Sequence, residues 1–173
     1  MTGIESPLLV EKNAPDYLAE AWAARGYVLA ALPRDPGPNA LGLAVNSLPT
    51  RSQDRLHIHV DCLQPRVVAA LARYGGRLGS NWTRFPVPLG GGRYYARAIG
   101  ENDLVARNPF RLVATGVPGA ARDMADMTLV VAPITRAGGR TGFALIAANT
   151  EDGSHAMGEN LLDHTCRIAR DAG

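Results

Sequence analysis

Alternating or uninterrupted apolar positions predict the β-strands of this chain. Residues 40–46 ("ALGLAVN") and 55–62 ("RLHIHVDC") flank the polar stretch "SLPTRSQD", and this pattern predicts an antiparallel hairpin. Residues 128–134 ("TLVVAPI") and 142–150 ("GFALIAANT") flank "TRAGGR" and predict a second hairpin. Residues 93–99 ("RYYARAI") follow a loop rich in proline and glycine and add one more strand.

Apolar residues three and four positions apart predict the helices. In residues 13–32, Leu18, Ala21 and Trp22 have this spacing, and Gly26 is expected to stop or kink the helix. The other predicted helices are residues 65–74, which end before Gly75, two short pieces within 102–127, and an amphipathic helix at 157–170. Because strands follow strands as well as helices, the order favours an α+β fold on an antiparallel sheet, with residues 1–173 forming one domain.

The strand at residues 55–62 carries two of the chain's four histidines. Side chains alternate across a strand, so one face is predicted to hold His57, His59 and Asp61. The opposite face then holds Leu56, Ile58 and Val60. We expect the apolar face to pack on the core and the polar face to line a wet surface or a cleft.

Composition narrows the possible functions. A chain of 173 residues with 46% hydrophobic and 20% charged residues is typical of one globular domain. The net charge of +2 comes from scattered arginines, since Lys12 is the only lysine, and this argues against a dedicated nucleic-acid binder. No apolar stretch approaches the ~20 residues of a membrane span, and "MTGIESPLLVEK" lacks the pattern of a signal peptide, so we expect no anchor or signal in the chain as written. Cys62 and Cys166 permit one disulfide without requiring it.

Three interpretations of the polar face remain open from spacing alone. The histidines could simply occupy a half-exposed strand. They could chelate a metal with Asp61 or His155, although no further His or Cys cluster lies nearby. Or a neutral imidazole could attack a phosphorus atom while its neighbours bind the phosphate oxygens, since the free pKa of histidine is about 6.5.

Several motifs together resemble the CDP-diacylglycerol pyrophosphatase family, a branch of the histidine triad superfamily. They are "TGIESPLL", "LAVNS", "RSQDRLHIHVDCLQP", "YYARAI", "NPF" and "DHTC", and they span residues 2–170 in order. The resemblance implies an antiparallel sheet with flanking helices and hydrolysis of CDP-diacylglycerol to CMP and phosphatidate. It also implies that the family's N-terminal strands are missing here, so the chain is expected to be an N-terminally short member.

The superfamily signature has three alternating histidines with the middle one as nucleophile, whereas this chain has two. If Arg55 replaces the first histidine, His57 is the nucleophile; if Asp61 replaces the third, His59 is. Relatives with a glutamine four positions before the first histidine and an asparagine on the preceding strand favour the second register, through Gln53 and Asn46. The resemblance therefore implies His59 as nucleophile.

In that register the other site residues take roles around the substrate. His57, Gln53 and Ser52, together with backbone N–H groups of residues 50–53, are expected near the phosphates, and Asn46 near the nucleotide. Asp61 is expected to face an imidazole, because a carboxylate repels phosphate. Arg51, Arg93 and Arg97 either add phosphate contacts or are solvated, and His164 is assigned to the closing helix, where its partner is unknown.

The resemblance also sets expectations for cofactors, partners and location. No cofactor and no metal are required. The expected partners are CDP-diacylglycerol and, through it, a membrane surface, without nucleic acid, and relatives that dimerise suggest a homodimer. The location implied is the inner membrane or its periplasmic face. The alternative functions are a soluble nucleotide hydrolase or nucleotidyl transferase of the same superfamily, and a nucleotide-binding variant that does not cleave.

Overall fold

The fold is built on one antiparallel sheet, seen in a computed structural model that describes residues 2–152 and 155–170. The described strands are β1 (Leu41–Val45), β2 (His59–Cys62), β3 (Thr83–Arg84), β4 (Tyr95–Gly100), β5 (Thr128–Thr135) and β6 (Thr141–Ala148). Their order across the six-stranded sheet is β2-β1-β5-β6-β4-β3, and each neighbouring pair is antiparallel. The α+β prediction and both predicted hairpins are confirmed.

Both faces of the sheet are covered, which explains the uninterrupted apolar runs of β5 and β6. Leu129 and Val131 contribute to one core cluster, while Val130 and Ala132 contribute to the other. The first core cluster joins the sheet to Ile4, Leu9, Leu18, Phe110 and Val113. The second core cluster joins it to Val67, Leu71, Leu161 and Leu162.

The helices pack on these two faces. The described helices are α1 (Tyr17–Ala23), α2 (Arg25–Ala31), α3 (Pro65–Tyr74), α4 (Asp103–Ala106) and α5 (Pro109–Gly116). The first face carries α1 and α5, and the second carries α3 and the turn Gly158–Leu161. None of the helices in residues 2–152 and 155–170 is long and apolar enough to cross a lipid bilayer.

The predicted helix at 13–32 is two helices, and the break lies at Ala24 instead of Gly26. The residues on both sides of the break pack on distant parts of the chain. Trp22 at the end of α1 packs edge-on against Phe143, with ring centroids 5.2 Å apart, and also on a third cluster around Cys62. Val28 of α2 packs on that third cluster. Gly26 lies inside α2, where its flexibility is not needed to turn the chain.

The predicted helix at 157–170 is wrong. The segment contains only the short 3-10 turns Gly158–Leu161 and Arg167–Ala169. Backbone groups that a helix would pair internally are used by the chain after β2: Leu162 bridges to Leu63, and the N–H of Asp163 donates to the carbonyl of Cys62 at 2.7 Å. A disulfide between Cys62 and Cys166 fixes the same segment, so tertiary pairing overrides helical periodicity.

Candidate active site

Strand β2 places His59 and Asp61 on the face opposite its apolar side chains, as the alternation predicts, and there they meet the C-terminal segment. His59 pairs in register with Ala44, a member of the second core cluster, so His59 lies on that face. The apolar residues Leu56, Ile58 and Val60 pack against the first core cluster. The strand is shorter than predicted and starts at His59, which leaves His57 in the preceding loop. The two imidazoles nevertheless remain neighbours, with ring centroids 5.0 Å apart.

Glu159 and His164 complete a chain of ionisable groups that sequence reasoning missed. Nε2 of His59 lies 3.5 Å from Oε2 of Glu159. The other carboxylate oxygen of Glu159 lies 2.8 Å from Nε2 of His164, whose Nδ1 lies 2.6 Å from Oδ2 of Asp61. Asp61 therefore faces an imidazole, as expected, but the imidazole belongs to His164. Two carboxylates and two histidines alternate in this cluster.

Asn46 fixes Glu159 from behind. Asn46 is only 2% exposed, and its Nδ2 donates to Oε2 of Glu159 at 3.0 Å. Its Oδ1 accepts the backbone N–H of Glu159 at 3.1 Å. Both ends of the amide are thus committed to one residue. The neighbouring Gly158 lets this segment pack closely on the sheet, because a Cβ there would lie 2.6 Å from Oγ1 of Thr128.

His57 has a defined proton position. Its Nδ1 lies 2.9 Å from the carbonyl oxygen of Arg55, and since a carbonyl only accepts, Nδ1 carries the proton and donates. Nε2 of His57 then bears the lone pair. That atom is buried and has no hydrogen-bond partner among the described residues.

The pKa values of His59, Glu159 and His164 are shifted by their surroundings in the cluster. Burial lowers the pKa of His59, although the neighbouring Glu159 opposes this, so His59 is neutral. Burial alone would raise the pKa of Glu159, but the hydrogen bond from Asn46 and the nearby imidazoles lower it below its usual value. The hydrogen bond to Asp61 raises the pKa of His164, which favours its charged form. A neutral imidazole therefore lies beside an ionised carboxylate, an arrangement suited to a nucleophile.

The loop between β1 and β2 holds the remaining predicted residues. Ser52 and Gln53 are exposed, and neither side chain forms a hydrogen bond within residues 2–152 and 155–170. Neither contacts His59 through a hydrogen bond there. The N–H groups of Thr50 and Arg51 both donate to the carbonyl of Ser47, at 3.2 and 2.9 Å, so these two predicted phosphate donors are already used.

Arg51 is also not a solvated loop residue. Its side chain is 7% exposed, and its Nη1 lies 2.6 Å from Oε1 of Glu5. This ion pair ties the start of the chain to the loop that precedes His57. Arg97 is half-buried, with its guanidinium 5.8 Å from the Trp82 ring centroid, and burial lowers its pKa. Neither arginine is aimed at the histidine cluster by these contacts.

The structure also shows the state of the two cysteines and the position of His155. Cys62 and Cys166 form a disulfide, which settles the choice that composition left open. His155 lies in an exposed turn with φ of 53°. Within residues 2–152 and 155–170, no three His, Cys, Asp or Glu side chains are arranged to hold a metal ion.

One signal in the sequence could have located His164. Asp61 precedes Cys62, and His164 lies two residues before Cys166. A disulfide between the cysteines brings these neighbours within reach of each other, because bridged Cα atoms usually lie about 4.4–6.8 Å apart. The prediction of a helix at residues 157–170 did not take this proximity into account.

Comparison with known proteins gives the family. The model of the CDP-diacylglycerol pyrophosphatase family matches residues 1–170. The CDP-diacylglycerol pyrophosphatase of Yersinia pestis is 35% identical over 97% of this chain and 64% of its own length. The chain thus spans 64% of that curated relative. With nearly its whole length matched by the family model, this chain belongs to the CDP-diacylglycerol pyrophosphatase family.

Proposed function

We propose that this chain hydrolyses the pyrophosphate bond of CDP-diacylglycerol to CMP and phosphatidate through a nucleotidyl-histidine on His59. Family membership supports the substrate, and the relative from Yersinia pestis bears the name of that activity. The observation that carries the nucleophile is the neutral, partly buried imidazole of His59 at 3.5 Å from the ionised Glu159.

The reaction proceeds in two displacements. A ring nitrogen of His59 attacks the phosphorus nearest cytidine, a P–N bond forms, and the P–O bond to the bridging oxygen breaks so that phosphatidate leaves. The ring becomes positively charged, and the carboxylate of Glu159 stabilises that charge. Water then attacks the same phosphorus, the P–N bond breaks, CMP leaves, and the proton of the water passes to solvent.

The groups around His59 hold the phosphates. His57 is a proposed neighbour of the phosphates because its ring centroid lies 5.0 Å from that of His59. Ser52 and Gln53 are proposed phosphate contacts, because their exposed side chains have no hydrogen bonds in the described part of the chain. Asp61 and Asn46 act indirectly, through His164 and Glu159, and do not touch the nucleotide in this scheme.

The setting of the enzyme is also a proposal. A disulfide persists in oxidising compartments, which supports the periplasmic face of the inner membrane over the cytoplasm. The six-stranded antiparallel sheet agrees with a single histidine triad-like domain. A homodimer stays a prediction from the resemblance.

The test measures CMP release from CDP-diacylglycerol in detergent micelles without added metal. The chain is compared with His59→Ala, His57→Ala and the control His155→Asn, which alters an exposed turn. We expect no release from His59→Ala, reduced release from His57→Ala and full release from His155→Asn.

The opposite results are equally informative. Loss with His57→Ala and partial retention with His59→Ala would make His57 the nucleophile. Equal turnover of water-soluble CDP-linked compounds would identify a soluble nucleotide hydrolase. Binding of CDP by an intact chain that releases no CMP would contradict the enzymatic proposal and favour a binding protein.

A further inference from the structure

We infer that Arg51 is a positioning residue: its ion pair with Glu5 holds residues 52–57 in the place where they bind the phosphates of the substrate. These residues lead from the loop into β2 and include three of the proposed site residues. The role in phosphate binding rests on the proposed function. The attachment of the segment is a property of the free protein, and it can be measured without substrate.

Residues 52–57 have few attachments of their own. In the described part of the chain, none of their backbone groups is hydrogen-bonded to another backbone group. The hydrogen bond from His57 to the carbonyl of Arg55 lies within the segment and does not tie it to the rest of the fold. Leu56 packs on the first core cluster and attaches the end near β2. The opposite end of the segment therefore depends on Arg51, which precedes it.

Arg51 is anchored through both its backbone and its side chain. Its N–H donates to the carbonyl of Ser47 at 2.9 Å. Its side chain is 7% exposed, and its Nη1 lies 2.6 Å from Oε1 of Glu5. Asp54 also faces the guanidinium, at 3.5 Å from Nη2, but its side chain is fully exposed, where an ion pair contributes little. Glu5 is therefore the partner that holds the arginine.

Residues 3–5 form a fitted place for this guanidinium. Oε1 of Glu5 also accepts the backbone N–H of Gly3 at 3.1 Å, so the carboxylate is fixed within its own segment. A Cβ on Gly3 would overlap Nη1 of Arg51, so the arginine reaches the carboxylate only across a glycine. Burial alone would raise the pKa of Glu5, but the hydrogen bond from Arg51 lowers it, and the carboxyl is ionised at neutral pH. Loss of either charge would leave the other one mostly buried without its partner.

The ion pair connects two motifs of the sequence with the proposed phosphate contacts. Glu5 belongs to "TGIESPLL", and Arg51 begins "RSQDRLHIHVDCLQP". Ser52 and Gln53 directly follow Arg51, so movement of Arg51 would displace them. His59 is held separately, because it pairs with β1 in the sheet. We therefore expect loss of the ion pair to weaken phosphate binding more than it weakens the attack by the nucleophile.

The first experiment is limited trypsin digestion of the intact chain without substrate. Glu5→Gln keeps the shape of the side chain and every trypsin site, and it weakens the attraction to Arg51. We expect cleavage after Arg51 or Arg55 to become at least about 10-fold faster, because proteolysis follows the population of the opened backbone. Cleavage after Arg140, in the exposed turn between β5 and β6, should keep its wild-type rate. Glu11→Gln, at an exposed position of the same N-terminal segment, is the control and should change neither rate.

The second experiment measures the kinetics of CMP release from CDP-diacylglycerol. A misplacement of about 1 Å can lower a rate by about 10²-fold, so Glu5→Gln should lower kcat/KM by at least about 10-fold, mostly through a higher KM. A smaller folded fraction would instead lower kcat and leave KM unchanged. Arg51→Met should resemble Glu5→Gln. Arg51→Lys should keep most of the activity, because one ammonium group can take over the one short contact with Glu5.

Two results would overturn the inference. One is a Glu5→Gln variant in which cleavage after Arg51, Arg55 and Arg140 accelerates by the same factor, because the ion pair would then stabilise the fold as a whole. The other is a wild-type KM in both Glu5→Gln and Arg51→Met. A wild type that releases no CMP, together with faster cleavage of Glu5→Gln only after Arg51 or Arg55, would instead refute the proposed function and leave the attachment of residues 52–57 intact.

Discussion

Removal of the disulfide gives the largest stability change that the fold predicts. The double variant Cys62→Ser and Cys166→Ser opens a loop whose ends are 104 residues apart. In the chain-entropy account, closing a loop of about 100 residues stabilises a protein by about 4.7 kcal/mol, because the unfolded chain has fewer conformations. Domains of this size are stable by about 5–15 kcal/mol, so the bridge supplies a large share.

Urea unfolding, followed by the fluorescence of Trp22 and Trp82, measures the change. With a slope of about 2 kcal/mol per molar urea, a loss of about 4.7 kcal/mol lowers the midpoint by roughly 2 M. The wild type treated with a reductant is the control and should unfold at the same midpoint as the double variant. A single-serine variant separates loss of the bridge from changes at the individual sulfur atoms.

Removal of the disulfide should affect activity less than it affects stability. Backbone contacts still hold the C-terminal segment to β2 in the reduced protein, through Leu162 to Leu63 and Asp163 to Cys62. We therefore expect CMP release in the absence of urea to fall severalfold without disappearing. A midpoint shift below about 0.5 M would refute the reasoning, since it would mean that the bridge does not restrict the unfolded chain.

Three further predictions concern Asp163, Gly158 and His59. Burial would raise the pKa of Asp163, but hydrogen bonds from the adjacent turn lower it to about 2. The folded protein should therefore lose roughly 2 kcal/mol of stability at most as the pH falls from about 4 to 2. Thermal unfolding should show this loss in the wild type and not in Asp163→Asn. Gly158→Ala should cost about 1–3 kcal/mol in urea unfolding, because its Cβ would lie 2.6 Å from Oγ1 of Thr128, and unchanged stability would contradict that contact. Burial lowers the pKa of His59, so CMP release should persist to a pH below 6.5 before protonation of the ring stops it. Glu159→Gln should shift the acidic side of the pH–rate profile to still lower pH, because the carboxylate raises the pKa of His59. A loss of activity that begins above pH 6.5 would contradict a neutral His59.

The sheet could be predicted because its signals are local. In β5 and β6, eight-residue apolar runs surround a glycine-rich turn, and any chain with that pattern can pair with itself. The hairpin of β1 and β2 has the same origin. The break at Ala24 was not predictable in this way, because it depends on Phe143 and Cys62, which lie far along the chain from the helix.

The C-terminal segment shows where periodicity misleads. Apolar positions at Leu161, Leu162 and Ile168 fit a helix, and the pattern contains no glycine or proline within residues 159–170. The backbone of this segment nevertheless pairs with the residues after β2, and Leu161 packs into the second core cluster. Burial and a disulfide outweigh the few tenths of a kcal/mol per residue that propensity supplies.

The choice between the two histidines also depends on contacts that local sequence spacing does not reveal. Spacing placed His57 and His59 side by side but could not rank them, because each ring exposes a lone pair only after a second group has fixed its proton. For His57 that group is the carbonyl of Arg55, two residues away. For His59 the neighbouring carboxylate belongs to Glu159, which lies 100 positions along the chain, in a segment held by Asn46, His164 and the disulfide. The reactivity of the strand is therefore set by the part of the sequence that gave the weakest local signal.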